Sequence, residues 1–372
     1  MRNIYSVLLG SLVLFSFMPG ASAAPGPACD ITLVPPDSIQ AAVDGVGEGG
    51  VVCLGDGTYF LGSTSINLDS THTGLTLRAA EGAYPIIEAV EEAIRLTEAH
   101  ETTISGLTLV GGVGSGFNGV AIRIFQSDNV TVTHNEIREF VGGVTAAGNP
   151  FSGGTYTGSS GFVLSDNEIS GGSDGVVLVN CTGCSVIRNQ IDTTRRAILV
   201  FASNAVGVLA EEGIARGTKI IENQISGRQG IVVSASASAD LSNNLDRLVS
   251  IDVVSIQQNQ ITAQRPLLAI ASTRSFPGDS PAATAKIKNL GLIRNEIVCD
   301  PLAVPDNGVE LLASPDHLQD VTIIENTKII RNTFSGCVTN VFERGNVERT
   351  ALSPDLRELL DFVDAAATAG AF

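Results

Sequence analysis

Four arginines in the middle of the chain are the residues best suited to bind an anionic ligand. Arg195, Arg196, Arg228 and Arg265 each come a few residues before an apolar, β-rich segment. Guanidinium groups bind carboxylates and sulfates through two parallel hydrogen bonds. If the segments stack, we expect these arginines to form a column that contacts an acidic sugar. The alternative is that they are solvated or paired with nearby acidic side chains.

Two aspartates lie close to those arginines in sequence. Asp174 and Asp192, together with Arg196, are the catalytic candidates, because paired carboxylates can act as general acid and base. Carboxylate oxygens could also ligate calcium, whereas we predict no other metal and no cofactor. However, Asp174 precedes Gly175, and an aspartate before glycine is common in turns that have no further role.

A short repeated phrase identifies the elements that must position these residues. An asparagine follows a β-rich segment and is itself followed by one residue and then by an apolar residue. The spacing ranges from 22 residues (Asn167 to Asn189) to 37 residues (Asn295 to Asn332). Such a period predicts a solenoid in which each repeat is one coil. The seven asparagines are Asn135, Asn167, Asn189, Asn223, Asn259, Asn295 and Asn332.

We interpret the asparagines as structural residues. Asparagine tolerates the left-handed conformation of tight turns, and its amide can bond to the same amide one coil away. Each coil then adds about 4.8 Å, and alternate residues point into an aliphatic core.

One face of this solenoid is predicted to be apolar. If Ile122, Val144, Val176, Ile198, Ile231, Leu268 and Val309 point inward, the outward neighbours in the middle coils are Val177, Leu199, Val232 and Ala269. Such a face is expected to be covered by loops or by another chain. Most coils have extra residues at the third corner, which follows the strand of this face, and we expect them to form loops along one edge of the solenoid. These predicted insertions are residues 146–160, 203–218, 234–250, 272–285 and 314–327.

The start of the chain contains further elements of this kind. Ser38 can cap a short helix through Val43, and residues 51–54, 57–61 and 75–78 have strand patterns. With the asparagine repeats, these segments resemble the pectin-lyase-like right-handed parallel β-helix superfamily over residues 36–345. The resemblance implies an all-β, single-domain right-handed parallel β-helix with short N-terminal and C-terminal capping helices. That superfamily includes lyases, hydrolases, epimerases and proteins without a known reaction.

The two ends of the chain carry separate signals. Residues 1–23 resemble a secretory signal peptide, with Arg2, an apolar stretch over 7–17 and a small-residue cleavage site at 21–23. We therefore expect a secreted or periplasmic protein, and we see no later segment apolar enough to span a membrane. The β-helix domain is predicted over 24–352. Ser353 and Pro354 begin a predicted capping helix over 353–372.

All six cysteines lie beyond the signal segment, and an even count in an oxidising compartment predicts three disulfides. Cys299 and Cys337 follow repeat asparagines on adjacent coils, so we expect them to pair. Cys29 would then pair with Cys53, and Cys181 with Cys184. A redox or zinc centre is the alternative for the Cys181-x-x-Cys184 motif.

Net charge restricts the partners. A formal charge of −17 argues against nucleic acid, because phosphate backbones need clustered basic residues. It also disfavours anionic polymers unless a local basic stripe meets them. The leading hypothesis is an exported protein that binds an acidic extracellular polysaccharide, with cleavage or epimerisation left open. The rival is a non-catalytic structural or adhesion protein of the cell envelope, in which the apolar face is a packing surface or an assembly surface that could hold a homo-oligomer together.

Overall fold

The computed structural model describes nine stretches of the chain: 27–112, 119–147, 159–204, 212–238, 247–274, 283–300, 307–315, 321–348 and 351–352. Apart from one α-helix and one short 3-10 helix, their regular structure is β-strand, and every strand pairing is parallel. The predicted signal segment and C-terminal helix lie outside the described residues.

The first sheet consists of the strands that precede the asparagines and their equivalents in the outer coils. Its pleated surface is rich in Val, Ile and Thr, the residue types favoured in strands. Its strands are Ile31–Leu33, Val51–Leu54, Thr76–Ala79, Thr103–Ser105, Thr131–Thr133, Val163–Ser165, Ser185–Ile187, Glu212–Ile221, Arg247–Gln257, Ala283–Ile293, Val321–Glu325, Lys328–Ile330, Val347–Glu348 and Ala351–Leu352.

The remaining strands form a second, bent sheet with two faces. The second face follows the asparagine corner and contains Gly57–Gly62, Pro85–Ala89, Thr108–Gly111, Glu136–Arg138, Glu296–Cys299 and Thr333–Ser335. The third face contains Ile66–Leu68, Glu92–Thr97, Val120–Phe125, Gly142–Ala147, Val309–Ser314 and Val341–Arg344. Four long strands contribute to both faces: Glu168–Val179, Gln190–Ser203, Gln224–Ser238 and Gln260–Arg274.

The repeat asparagines form one continuous, buried ladder, as predicted. The side-chain amide of Asn189 donates to Oδ1 of Asn223 at 3.0 Å, and its backbone N–H donates to the same oxygen at 2.9 Å. The same pair of bonds links every neighbouring pair from Asn135 to Asn332. The residue before each of these asparagines has a positive φ, which makes the corner tight.

The core is a continuous aliphatic column. The strand register shows that Leu268, which was expected to point inward, points outward. Ile231 pairs with Leu267, so Leu267 points inward and Leu268 lies in the outward row with Val232. Ala269, expected outward, belongs to the core. The reason is spacing: Leu267 follows Asn259 by eight residues, just as Ile231 follows Asn223.

The expected helix after Ser38 is present as Ile39–Val46. The Ser38 hydroxyl accepts a hydrogen bond from the Ala41 N–H, and the helix buries Ile39, Ala42 and Val43. Within the described residues, no helix has the length and apolarity that a membrane crossing requires.

All three expected disulfides form, between Cys29 and Cys53, between Cys181 and Cys184, and between Cys299 and Cys337. The redox or zinc alternative for Cys181 and Cys184 is therefore wrong in this structure. Both cysteines are fully buried.

The insertions at the third corner are only partly loops. Ser203, Ser236 and Ser272, which were expected in loops, pair in register as strand. The returning strands Glu212–Ile221, Arg247–Gln257 and Ala283–Ile293 begin within the last residues of the predicted insertions. These coils are therefore wider than their neighbours, because their strands extend past the corner.

Candidate functional site

The four arginines do not form the predicted column. Arg196 pairs in register with Gln229, which pairs with Arg265, so a glutamine separates the two arginines. Arg228 comes one residue before that row. The cause is a difference in segment length, since Arg196 follows its repeat asparagine by seven residues and Gln229 and Arg265 follow theirs by six.

Two of the arginines are held by carboxylates. Arg196 donates to both oxygens of Asp174, each at 2.8 Å, and Arg265 donates to the largely buried Glu310. Such bidentate pairing uses the hydrogen-bonding edge that a ligand would need. The alternative of pairing with nearby acids therefore holds for Arg196 and Arg265.

The other two arginines face solvent at one corner. Arg195 has 57% of its side chain exposed and lies 3.8 Å from Asp174. Arg228 is also exposed, and it has no ion pair with any described residue. Both lie at the bend between the second and third faces, between the paired positions Asp192–Ser226 and Arg196–Gln229.

The two candidate aspartates lie on different faces. Asp174 is on the third face beside Arg196, whereas Asp192 is on the second face, in register with Ser170 and Ser226. Asp192 accepts a hydrogen bond of 2.6 Å from the Ser226 hydroxyl. They are therefore not arranged as the acid and base of one catalytic pair. Among the described residues, no group of three His, Cys, Asp or Glu side chains could hold a metal ion.

The middle of the third face is apolar and already covered. Leu199, Val232 and Leu268 point outward, yet only 7%, 5% and 3% of these residues is exposed within the single chain. Because the covered area is no longer available to a partner, these residues cannot supply an assembly surface. The apolar face was predicted correctly except at Ala269, and three of its outward residues are covered within the single chain.

Charged groups border this apolar region toward the N-terminus. Glu92 is buried and accepts hydrogen bonds from Arg95 at 2.9 and 2.8 Å, while Arg123 lies 3.3 Å away. The hydrogen bonds that Arg95 donates to Glu92 raise the pKa of Arg95 above its ordinary value. Arg123 also lies over the ring of Phe125, with 5.8 Å to its centroid. These contacts join side chains of the third face to one another.

The open polar surface is the second face. Its first outward row comes one residue after the asparagine ladder, and all its members in the middle coils are exposed. Within the described residues, the amides of Gln190, Gln224 and Gln260 have no hydrogen-bond partner. The row consists of Glu136, Glu168, Gln190, Gln224, Gln260 and Glu296, paired in register.

A second outward row runs beside the glutamines. Asp192, Ser226 and Thr262 occupy it in the same three coils. The three glutamines line a groove of about 210 Å³ together with Ser226 and Thr262. The exposed Arg195 and Arg228 follow Asp192 and Ser226 by three and two residues, so they lie at the corner that follows the second outward row.

The sequence contained a signal for this surface. In the phrase Asn-Gln-Ile, the asparagine and isoleucine both face inward, so the residue between them must face outward. Reading that middle residue along successive coils gives the glutamine row directly.

Comparisons with known proteins agree with this architecture. The model of a family described as "right handed beta helix region" matches residues 86–246. A polygalacturonase from Erwinia carotovora ssp. carotovora is similar in structure, with a TM-score of 0.54 and 15% sequence identity over 89% of this chain and 99% of that one. No curated protein sequence matches significantly.

Two further structures are similar at lower scores. The A-module of the mannuronan C-5 epimerase AlgE6 from Azotobacter vinelandii has a TM-score of 0.44 and 14% identity, covering 85% of this chain and 94% of that one. PfbA, a surface adhesin of Streptococcus pneumoniae, has a TM-score of 0.45 and 13% identity, covering 82% and 86%. At these identities the likeness is one of fold.

Proposed function

We propose that this right-handed parallel β-helix binds a polysaccharide along its second face. The observation that carries the proposal is the row of three exposed glutamine amides without protein partners. Each amide offers two donors and one acceptor carbonyl, which suits sugar hydroxyls. Successive amides are about 4.8 Å apart, so an extended chain of sugars parallel to the solenoid axis meets one amide per coil.

The positive charges at the corner between the second and third faces favour an acidic polysaccharide as the ligand. Arg195 and Arg228 lie at the corner beside the glutamines, where their guanidinium groups can pair with carboxylates or sulfates. Carboxylates lie in and beside the row, at Asp192, Glu168 and Glu296, and they repel anions. The acidic groups of the ligand are therefore expected over the arginine corner.

The proposal is for binding and assigns no reaction. Asp174 is engaged by Arg196, and Asp192 is engaged by Ser226 on another face, so neither has the partner that acid and base catalysis needs. Export is a further part of the hypothesis. Three disulfides fit an oxidising compartment.

Retention on immobilised pectin, alginate and a glycosaminoglycan tests the proposal. The wild type is expected to bind at least one of them, with retention that falls as salt increases. The variant Arg195→Ala/Arg228→Ala should lose that retention. The control Arg216→Ala/Lys219→Ala removes two positive charges from the first sheet and should behave like the wild type. Failure of the wild type to bind any polysaccharide, or equal retention of all three proteins, would contradict the proposal.

A further inference from the structure

Two exposed aromatic residues lie at the N-terminal end of the second face. Phe60 is 77% exposed and Tyr84 is 80% exposed, and no other large hydrophobic residue in the described part is as accessible. The chain has no tryptophan and only four tyrosines, so such residues are scarce. Both belong to the first coils, far in sequence from the glutamine row.

The strand register joins Phe60 to the glutamine face. Phe60 occupies the second outward row, the one that contains Asp192. Five pairings separate these two residues, which corresponds to about 24 Å along the solenoid axis. The row runs through Phe60, Glu88, Val110, Arg138, Ser170 and Asp192.

Tyr84 lies on the other side of the first row. It precedes Pro85, which pairs with Gly57, and its backbone N–H donates to Oδ1 of Asp56 at 2.7 Å. That bond fixes the start of the strand. Phe60 and Tyr84 therefore flank Thr58 and Ile86, the members of the first outward row in these two coils.

The surroundings of Phe60 combine apolar and polar groups. A pocket of about 340 Å³ is lined by Phe60, Pro36 and Leu61 together with the hydroxyl-bearing Thr58 and Ser65. A pyranose ring has an apolar face of C–H groups and an edge of hydroxyls. An aromatic ring beside hydroxyl groups matches both parts of such a ligand.

We infer that Phe60 and Tyr84 form an aromatic subsite that stacks against sugar rings of the same polysaccharide that the glutamine row binds. The inference rests on the proposed function and extends it in two respects. The bound polymer runs lengthwise along the solenoid, and only a chain long enough to reach from the glutamine coils to the first coils gains the aromatic contacts.

Chain-length dependence tests the subsite. The ligands are a polysaccharide that the wild type retains and a tetrasaccharide of the same composition, measured by calorimetric titration. The double variant Phe60→Ala/Tyr84→Ala should bind the long chain about tenfold more weakly, because it loses both stacking contacts. Its affinity for the tetrasaccharide should stay at the wild-type value. Phe60→Trp should keep or strengthen long-chain binding.

Phe342→Ala is the matched control. Phe342 is an exposed phenylalanine on the third face, so its removal should leave both affinities unchanged. Unchanged long-chain affinity in Phe60→Ala/Tyr84→Ala would overturn the inference, as would an equal loss for the tetrasaccharide. If Gln190→Ala/Gln224→Ala weakens binding while the aromatic variant does not, the aromatic subsite fails and the proposed function stands. If the wild type binds no polysaccharide, both fail.

Discussion

The backbone N–H and the side-chain amide of Asn223 both donate to Oδ1 of Asn259 at 2.9 Å, one coil away. The same amide donates to the backbone carbonyls of Val186 and Ile221, and Oδ1 of Asn223 accepts two bonds from Asn189. One side chain thus satisfies polar groups of three successive coils in a buried corner. This arrangement sets the register of the whole second face.

Removal of one ladder side chain should destabilise the fold. Asn223→Ala removes the acceptor of the buried backbone N–H of Asn189 and the donor to the carbonyls of Val186 and Ile221, and we expect the free energy of unfolding to fall by about 2–4 kcal/mol. Urea denaturation measures the change. The control Gln224→Ala alters the next residue, which is exposed and without partners, and should change stability by less than about 0.5 kcal/mol. Equal effects of the two changes would contradict the structural role of the ladder.

Relief of a strained valine should stabilise the fold. Val253 has φ 59°, a conformation that a β-branched residue adopts at a cost, and it is 47% exposed. The equivalent residues on the adjacent coils are Gly217 and Asn289, both of types that tolerate this conformation. Val253→Asn should raise the free energy of unfolding by about 1 kcal/mol. Val338→Asn, at an exposed valine without positive φ, should be near neutral, and equal effects would argue against strain.

The disulfide between the last described coils should matter more than the local one. The Cys299–Cys337 bond spans 38 residues, so its loss should destabilise the protein by about 3–4 kcal/mol through the greater freedom of the unfolded chain. The Cys181–Cys184 bond spans only three residues and constrains the unfolded chain far less. Thermal unfolding of Cys299→Ala/Cys337→Ala and Cys181→Ala/Cys184→Ala should show this order. The reverse order would contradict the chain-entropy argument.

An ion pair beside the ladder should make stability depend on pH. Arg188 donates to the two oxygens of Asp166 at 2.7 and 2.8 Å, and these bonds hold the pKa of Asp166 below its ordinary value. The stabilisation is therefore complete above the unfolded-state pKa of about 3.9 and disappears as the pH falls through the lower folded-state pKa. Asp166→Asn should cost about 0.5–1 kcal/mol at pH 7 and nothing once Asp166 is protonated. A gap between the two proteins that stays constant down to pH 2 would exclude this pair as the cause.

The sequence predicted the parts of the fold that depend on periodicity. The asparagine repeat has a fixed relation to the strands on either side of it, so the ladder, the parallel solenoid and the disulfide between Cys299 and Cys337 could all be read from spacing. The apolar third face could also be read, since alternation along a strand fixes which residues point outward.

The sequence could not predict which residues share a row after the corner between the second and third faces. Arg196 and Arg265 follow their repeat asparagines by seven and six residues and share one row, whereas Arg228 follows Asn223 by only five and falls one residue before it. Ion pairs such as Asp174–Arg196 join residues on successive coils, so they depend on that same register. The open glutamine row, in contrast, follows from the middle residue of the repeat, which must face outward between two inward residues.

The affinity of a triple glutamine variant for a retained polysaccharide tests the central claim most directly. Gln190→Ala/Gln224→Ala/Gln260→Ala should bind at least tenfold more weakly than the wild type at unchanged thermal stability, because each change removes exposed donors and an acceptor without disturbing the core. Thr76→Ala/Thr103→Ala/Thr131→Ala removes three outward hydroxyls from the first sheet and should keep wild-type affinity. Wild-type affinity in the glutamine variant would contradict the assignment of the second face as the binding surface.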